Sequence, residues 1–321
     1  SGAAVTGPDM IGAFSAPQSI PGASECTVGD VAIAPSGAVV QTCQKPIAVA
    51  NSTAKGPTTI QVNMDPDGLG AASFGSTIAV TATNVGLLDS IPPQDFRWVD
   101  AEAGLAYDRF PTSPQFGRLY LVYTDETELE NNDTDIMLRY SDDDGTTWSD
   151  PPIRVNDDSS TPIRSQFLPR IASDPQSGNV AVCWHDARHS AANRAMQEFC
   201  SFASPNGVAP AFSANIAVGD ALSASSGYGN EFGDYSGLTF SHGVAHAIWG
   251  DTSNSTGDNP DGTLEFDAYT DQIDGQPPLD ICEPCIPITT IIWITLIVIV
   301  IIVILLIAGI RWLVTRRYLK W

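Results

Sequence analysis

Three stretches of this chain align without a gap. GRLYLVYTDET begins at Gly117, GNVAVCWHDAR at Gly178 and GVAHAIWGDTS at Gly243. In each, an aromatic residue stands six places after the glycine (Tyr123, Trp184, Trp249) and an aspartate eight places after it (Asp125, Asp186, Asp251). The intervals between copies are 61 and 65 residues. A weaker fourth copy, GAVVQTCQKPI, opens at Gly37 and keeps the strand character but neither the aromatic nor the aspartate. Repetition at this period confines the chain to architectures that stack one supersecondary unit many times over.

The neighbourhood of each copy defines the unit. A short apolar strand precedes the glycine (105–107, 170–172, 238–240), and a turn such as 174–178 joins the two. A polar loop follows the aspartate, then a strand such as 135–140, a turn and an outer strand such as 152–155. About four short strands per unit, divided by Gly, Pro and Asp, predict an all-β fold. Four-stranded antiparallel units repeated in this way are the blades of a β-propeller. No stretch before the C-terminal region carries a long 3.6-residue apolar period. The expected organisation is an N-terminal extension or remnant of a preceding blade (1–25) and a propeller-like domain of about four visible blades (26–270). A Pro-containing stalk (271–286), a transmembrane helix (287–311) and a basic tail (312–321) follow.

Between two predicted strands lies SDDDGTTW, residues 141–148. Asp side chains can bond the N–H groups of such a turn, and Gly145 supplies a left-handed conformation. Trp148 can then pack back between units. Ser141, Asp143, Gly145, Thr147 and Trp148 fit the pattern S-x-D-x-G-x-T-W, so the segment resembles the Asp-box of sialidase-like BNR-repeat proteins. The resemblance spans roughly residues 26–270. It implies a β-propeller in which the Asp-box is an outer structural turn remote from the central cleft. Function must therefore be argued from sites and not from this motif. Propellers of that family usually have six blades, and this chain is too short for six units of its own period.

The resemblance also implies what a retaining sialidase would need. Arginines grip the substrate carboxylate by bidentate bonds, a glutamate-activated tyrosine is the nucleophile, and an aspartic acid serves as acid/base. Candidates are Arg188 and Asp186 after the strand of the second copy, Arg170 before it, and Glu231, Asp234 and Tyr235 at the entry to the last unit. The family's N-terminal arginine motif is missing, and 96–99 (Phe-Arg-Trp-Val) is a poor substitute. The equal placement of Asp125, Asp186 and Asp251 favours turn capping over ligand contact. The Tyr123, Trp184 and Trp249 series favours packing between blades over a sugar-stacking platform.

No cofactor is indicated apart from calcium. Two oxygen-rich segments, 125–135 and 251–261, hold Asp125, Asp133, Asp135, Asp251, Asp258 and Asp261 as candidate ligands. Neither has EF-hand spacing, and a solvated acidic loop is the default reading. Asn51, Asn132 and Asn254 stand in Asn-x-Ser/Thr sequons.

Residues 288–310 read ITTIIWITLIVIVIIVILLIAGI, 23 residues without a charge. A bilayer core needs about 20 apolar residues in a helix. Arg311, Arg316, Arg317 and Lys320 follow this run, whereas Asp280 and Glu283 precede it, so the positive-inside bias places the C-terminus in the cytoplasm and the large domain outside. A single-pass cell-membrane protein is expected. Residues 1–285 carry 37 acidic groups against 11 Lys/Arg, a net of −26. Such a domain repels nucleic acid and anionic lipid, which excludes nucleic-acid partners. The start at Ser1, without a basic or apolar leader, fits a removed signal peptide or a longer parent chain.

The six cysteines fall in close pairs: Cys26 and Cys43, Cys183 and Cys200, Cys282 and Cys285. An even number outside the cytoplasm predicts disulfides, with connectivity left open and nearest-neighbour pairing the simplest arrangement. Cys282-x-x-Cys285 abuts the apolar run and lacks a βαβ setting, which favours a structural or lipidated pair over a redox pair. The reading that follows is a surface-displayed, membrane-anchored binding or adhesion module that takes a glycan or surface protein without catalysis. An exo-acting glycosidase of the sialidase type and a structural subunit of an envelope complex are the alternatives.

Overall fold

The computed structural model describes residues 2–8, 10–27, 29–47, 56–68, 70–126, 132–224, 232–233, 235–253 and 266–275. Residues 1–276 form one compact unit and 277–321 another. The expected membrane span, the basic tail and the Cys282/Cys285 pair lie outside the described residues, as do Glu231, Asp234, Asp258 and Asp261. Among the described residues no helix is long and apolar enough to cross a membrane.

The unit is built of antiparallel sheets in chain order. A small hairpin pairs β1 (Val5–Gly7) with β2 (Met10–Ile11). Sheet 1 follows as β3 (Val31–Ile33), β4 (Val39–Pro46), β5 (Thr58–Asp65) and β6 (Ile78–Thr83), each paired with the next. A second hairpin joins β7 (Asp89–Ile91) to β8 (Gln94–Val99). Sheet 2 is β9 (Gly104–Tyr107), β10 (Leu119–Glu126), β11 (Thr134–Ser141) and β12 (Ile153–Arg154). Sheet 3 is β13 (Gln166–Ser173), β14 (Val180–Asp186), β15 (Ala195–Ala203) and β16 (Ile216–Ala217), with β17 (Ser223–Ala224) also on β15. Sheet 4 is β18 (Gly237–Ser241), β19 (Val244–Asp251) and β20 (Asp267–Asp274). The first strands β3, β9, β13 and β18 adjoin one another in that order. Four blade-like meanders therefore succeed one another along their inner strands, a propeller-like arrangement.

The repeat explains this stacking. A strand between two sheets is buried on both faces, so its alternate residues enter different cores. Leu119, Leu121 and Tyr123 of β10 join Val40, Ile60 and Val62 of sheet 1, while Tyr120 and Val122 join Val180, Val182 and Trp184 of sheet 3. On β14, Ala181 and Cys183 face sheet 4 and meet Ala245, Ala247 and Trp249. Tyr123, Trp184 and Trp249 thus each pack between two sheets, on the side of the preceding one.

All four repeat glycines have positive φ: Gly37 (94°), Gly117 (87°), Gly178 (74°) and Gly243 (77°). At Gly178 space matters too, because a Cβ there would stand 2.9 Å from Asp108 Oδ2. Asp174 is the counterpart of Asp108 one sheet later, and it accepts the backbone N–H groups of His242 (3.1 Å) and Gly243 (2.9 Å). Asp174 thereby ties its own hairpin to the next, whereas Asp108 bonds within its own turn, to Phe110 N and Ser113 Oγ.

The 141–148 turn closes on itself. Ser141 Oγ donates to Asp143 Oδ1 (2.8 Å) and accepts from Gly145 N (2.8 Å), and Thr147 donates through N (2.8 Å) and Oγ1 (2.7 Å) to Asp143. The Trp148 indole donates to Gly145 O at 3.0 Å, and the ring packs on the core between sheets 1 and 2. Disulfides join Cys26 to Cys43 and Cys183 to Cys200.

Three features differ from the sequence reading. Hairpin β7–β8 was not anticipated. Although it connects sheets 1 and 2 in the chain, Ile91 and Val99 pack with Phe167, Met196 and Phe232 of the sheet 3 and sheet 4 region. Asp125 and Asp135 sit opposite each other within β10 and β11, not in a loop, because strand pairing runs to the ends of both segments. Strand β20 continues to Asp274, into the stretch read as stalk.

Candidate binding site at the sheet entries

The repeated aspartates cap strand ends. Asp186 Oδ2 accepts the Trp184 indole N–H at 2.9 Å while its Oδ1 accepts the Arg188 backbone N–H at 2.7 Å. Asp251 repeats both contacts, from the Trp249 indole (2.9 Å) and the Ser253 backbone (2.5 Å). In the first copy a tyrosine replaces the tryptophan, and Asp125 instead accepts Thr83 Oγ1 (2.8 Å), Asn84 N (3.0 Å) and Glu126 N (2.9 Å).

Arg188 is built into this framework. Its Nε donates to Asp186 Oδ2 (3.0 Å), Nη1 to Asp157 Oδ1 (2.6 Å), and Nη2 to Asp186 Oδ2 (2.8 Å) and Asn215 Oδ1 (2.8 Å). The guanidinium also lies 4.4 Å above the Phe199 ring. Every nitrogen of its fork is engaged within the protein. Burial alone would weaken the hold of Arg188 on its proton, but the bonds and charges of Asp186, Asp157 and Asp158 together outweigh it and raise the pKa above its ordinary value. The network continues through Asp158, which accepts Asn156 Nδ2 (2.7 Å) and Gln166 Nε2 (3.2 Å), to Asp135, bonded by Arg154 and Asn156 at 2.7 Å each. Burial and the nearby Asp186 charge raise the Asp158 pKa, against the Asn156 bond. Asp157 is pulled the other way: burial raises it, but the Asn215 N–H and Arg188 outweigh that and hold it low.

Arg170 occupies a different position. Its Nη1 donates to Glu102 Oε2 at 2.6 Å and to Pro169 O at 3.1 Å, and its Nε donates to Ser236 O at 2.8 Å. Glu102 stands two residues before β9, and Ser236 immediately before β18. One guanidinium therefore draws together the entries of sheets 2, 3 and 4. Asp30, immediately before β3, adds the entry of sheet 1 by accepting Leu105 N at 2.9 Å. Nη2 of Arg170 has no partner among the described residues, and the side chain keeps 22% of its surface exposed.

The backbone here is strained. Trp98, Glu102 and Leu168 are non-glycine residues with φ of 64°, 44° and 54°, and such conformations persist only where the surroundings over-determine them. Leu168 belongs to a bulge in β13 between Phe167 and Arg170, a device that re-aims the side chain that follows. Hairpin β7–β8 secures the region: Gln94 Nε2 donates to Trp98 O (2.9 Å), Gln94 Oε1 accepts Phe232 N (3.3 Å), and Asp95 pairs with Arg194 at 3.1 Å.

Tyr235, 82% exposed, lines a cleft of about 520 Å³ with Phe232, Ser236, Gly237, Ile248 and Phe266. Ser236 is thus shared by the cleft and the Arg170 station. Of the sequence-predicted candidates, the structure brings Asp186 and Arg188 together and sets Arg170 beside the residue that follows Tyr235. It does not join these two groups by any direct bond. Among the described residues no three His, Cys, Asp or Glu side chains are grouped to hold a metal. Sequence reasoning missed Glu102, Asp157, Asp158 and Ser236. The first and last act across sheet boundaries and leave no local pattern. The Asp157-Asp158 doublet was visible but had no spacing to mark it.

Neither a family model nor a curated protein sequence matches the chain. Among solved structures, it is similar to the α-L-arabinofuranosidase of Fusarium graminearum in complex with arabinobiose, at 13% identity and a TM-score of 0.45, over 81% of this chain and 66% of that one. A Hadza microbial sialidase, Hz136, gives 13% identity and 0.45 over 77% and 44% of the two chains. The NanB sialidase of Streptococcus pneumoniae gives 8% and 0.44 over 74% and 50%. The chain thus spans about two thirds or less of the length of these structures.

Proposed function

We propose that the chain is a membrane-anchored, surface-displayed module that binds glycans bearing an anionic group, without hydrolysing them. The observation that carries this reading is the contrast between two arginines. Arg188 has every nitrogen of its fork tied to Asp186, Asp157 or Asn215, with four of its five N–H donors spent, whereas Arg170 presents Nη2 where the entries of three sheets meet. A carboxylate or sulfate reaching Arg170 would receive a charge-assisted hydrogen bond. The neighbouring cleft, with Tyr235 and Phe266, offers ring faces for the apolar side of a sugar. A sialidase-type clamp needs several arginines with free forks, and Arg188 does not supply one. The anchoring half of the proposal rests on the uncharged run 288–310 and its basic flank.

The test is binding of a panel of acidic and neutral oligosaccharides to the full chain in detergent micelles. Binding of acidic glycans that Arg170→Ala abolishes, with the thermal transition retained, supports the reading. Equal binding by the wild type and Arg170→Ala, or no binding to any acidic glycan, refutes it.

A further inference from the structure

Sheet 2 carries a second set of polar and aromatic groups at the end remote from Glu102. Glu102 lies beyond the end where Gly104 opposes Val122, whereas Tyr107, Leu119 and Ser141 meet at the other end of the same strands. There the 108–118 turn, the 141–148 turn and residues 34–36 of sheet 1 enclose a cavity of about 420 Å³. That is the size of a small-ligand site. None of its lining residues belongs to the Arg170 station.

The lining is fixed in place by the fold. Phe116 keeps 49% of its surface exposed, on a turn closed by Phe116 N to Ser113 O (3.2 Å) and Arg118 N to Gln115 O (2.9 Å). Gln115 Nε2 anchors the same turn by donating to Gly207 O at 2.7 Å. Arg118, 4% exposed, donates through Nε and Nη2 to the two oxygens of Asp142 (2.7 and 2.9 Å) and through Nη1 to Val208 O (2.8 Å). Asp144 Oδ1 accepts the Tyr107 hydroxyl at 3.2 Å. Asp144 Oδ2 and Gln115 Oε1 have no hydrogen-bond partner among the described residues. Acceptors held in position before a ligand arrives lower the ordering cost of binding.

The chemistry of the lining selects the ligand. Arg118 neutralises Asp142 by a bidentate pair, so Asp144 is the one carboxylate of the cavity without an ion-pair partner among the described residues. What remains is a group of acceptors beside an aromatic ring. Hydroxyl donors suit the acceptors, and an apolar C–H face suits the ring. A pyranose presents both. An acidic sugar is disfavoured, because its charge would meet Asp142 and Asp144 without a free cation. The geometry points to a second sugar site, at the end of sheet 2 opposite the Arg170 station, that takes a neutral pyranose with its hydroxyls on Asp142, Asp144 and Gln115 and its apolar face on Phe116.

The experiment is saturation-transfer difference NMR of the full chain in micelles of a polyoxyethylene detergent, which carries no sugar. The probes are the methyl glycosides of glucose, galactose, mannose, glucosamine and glucuronic acid. At least one of the three neutral glycosides is expected to bind, and an equal concentration of methyl glucuronide is expected not to displace it. Phe116→Ala, with its thermal transition retained, is expected to weaken that binding about tenfold or more. Phe116→Leu keeps apolar volume without the ring face and serves the same purpose if the alanine variant does not fold. No binding of a neutral glycoside by the folded wild type overturns the proposal, as does binding that the Phe116 variants leave unchanged. Displacement by methyl glucuronide also overturns it and assigns the sugar to the Arg170 station, and binding of the glucosaminide alone overturns it in favour of a cation site.

Discussion

Trp184 donates its indole N–H to the Asp186 carboxylate across 2.9 Å, and both side chains are fully buried between sheets 2 and 3. The bond recurs between Trp249 and Asp251, two residues apart on the equivalent strand of sheet 4. One spacing therefore performs two tasks: the ring fills the core against the preceding sheet, and the carboxylate turns the chain at the strand end. Replacing Trp184 with Phe keeps most of the ring and removes the donor, leaving Asp186 Oδ2 to Arg188 alone. A loss of about 1–3 kcal/mol is expected. Trp184→Ala also opens a cavity and should cost about 3–5 kcal/mol. Urea denaturation of the full chain in micelles measures both.

Arg188 should behave as a structural residue. Arg188→Ala leaves the buried Asp186 carboxylate and the half-exposed Asp157 without their cation, while Asp158 keeps Arg154 at 3.1 Å. Removing one partner of a buried pair typically costs about 3–5 kcal/mol, and partial exposure places this site at the lower end. Arg188→Lys should recover little, because one ammonium cannot replace a fork shared by Asp186, Asp157 and Asn215. Thermal unfolding of the two variants tests the claim: a transition unchanged by Arg188→Ala contradicts it.

Asp174 and Asp108 occupy equivalent turns and should differ in pH response. Burial raises the Asp174 pKa, but the N–H of Gln176, the Ser177 hydroxyl and the N–H groups of Gly243 and His242 outweigh it, so the group lies below its ordinary value. For Asp108 burial dominates over its bonds from Ser113 and Phe110, and the pKa is raised. A depressed carboxyl contributes stability that is complete above the unfolded pKa of about 3.9 and is lost as pH falls through the lower folded value. A raised carboxyl opposes folding above its folded value, and that opposition fades as pH falls through it. Asp174→Asn should therefore destabilise at pH 7 and much less below pH about 3. Asp108→Asn should cost less at pH 7 than Asp174→Asn. Denaturation midpoints across pH for both variants check the order.

The Cys183–Cys200 bridge joins directly opposed residues of β14 and β15, with a sequence separation of 17. A loop of that size predicts a contribution of about 3 kcal/mol from restricting the unfolded chain. Replacing both cysteines with Ala should lower the unfolding midpoint accordingly, and replacing Cys26 and Cys43 with Ala as well should reveal the further loss from that bridge.

Much of the fold was legible because its determinants are local. Gly178, Trp184 and Asp186 lie within nine residues of one another, so their spacing survives in the sequence as a repeat, and the turn 141–148 is bonded within itself. The close cysteine pairs were legible for the same reason. Hairpin β7–β8 was not, because its partners Phe167, Met196 and Phe232 are remote in sequence. The Arg170 station was half legible. Arg170 could be singled out as a cation near a strand start, but Glu102 and Ser236 are each more than sixty residues away, and the positive φ of Leu168 leaves no mark that composition reveals. The placement of Asp125 opposite Asp135 was not legible, because nothing in the sequence shows that β10 and β11 stay paired to their ends.

The central claim is that the Arg170 station binds an anionic glycan and does not cleave it. The most direct measurement is release of fluorophore from an α-sialoside by the full chain in detergent micelles, at enzyme excess, with and without calcium, beside Arg170→Ala and Arg188→Ala. The account predicts no release by any form, together with retained binding of acidic glycan by the folded wild type. Release by the wild type that Arg188→Ala abolishes, while that variant keeps its thermal transition, would contradict it and place Arg188 in a working active site.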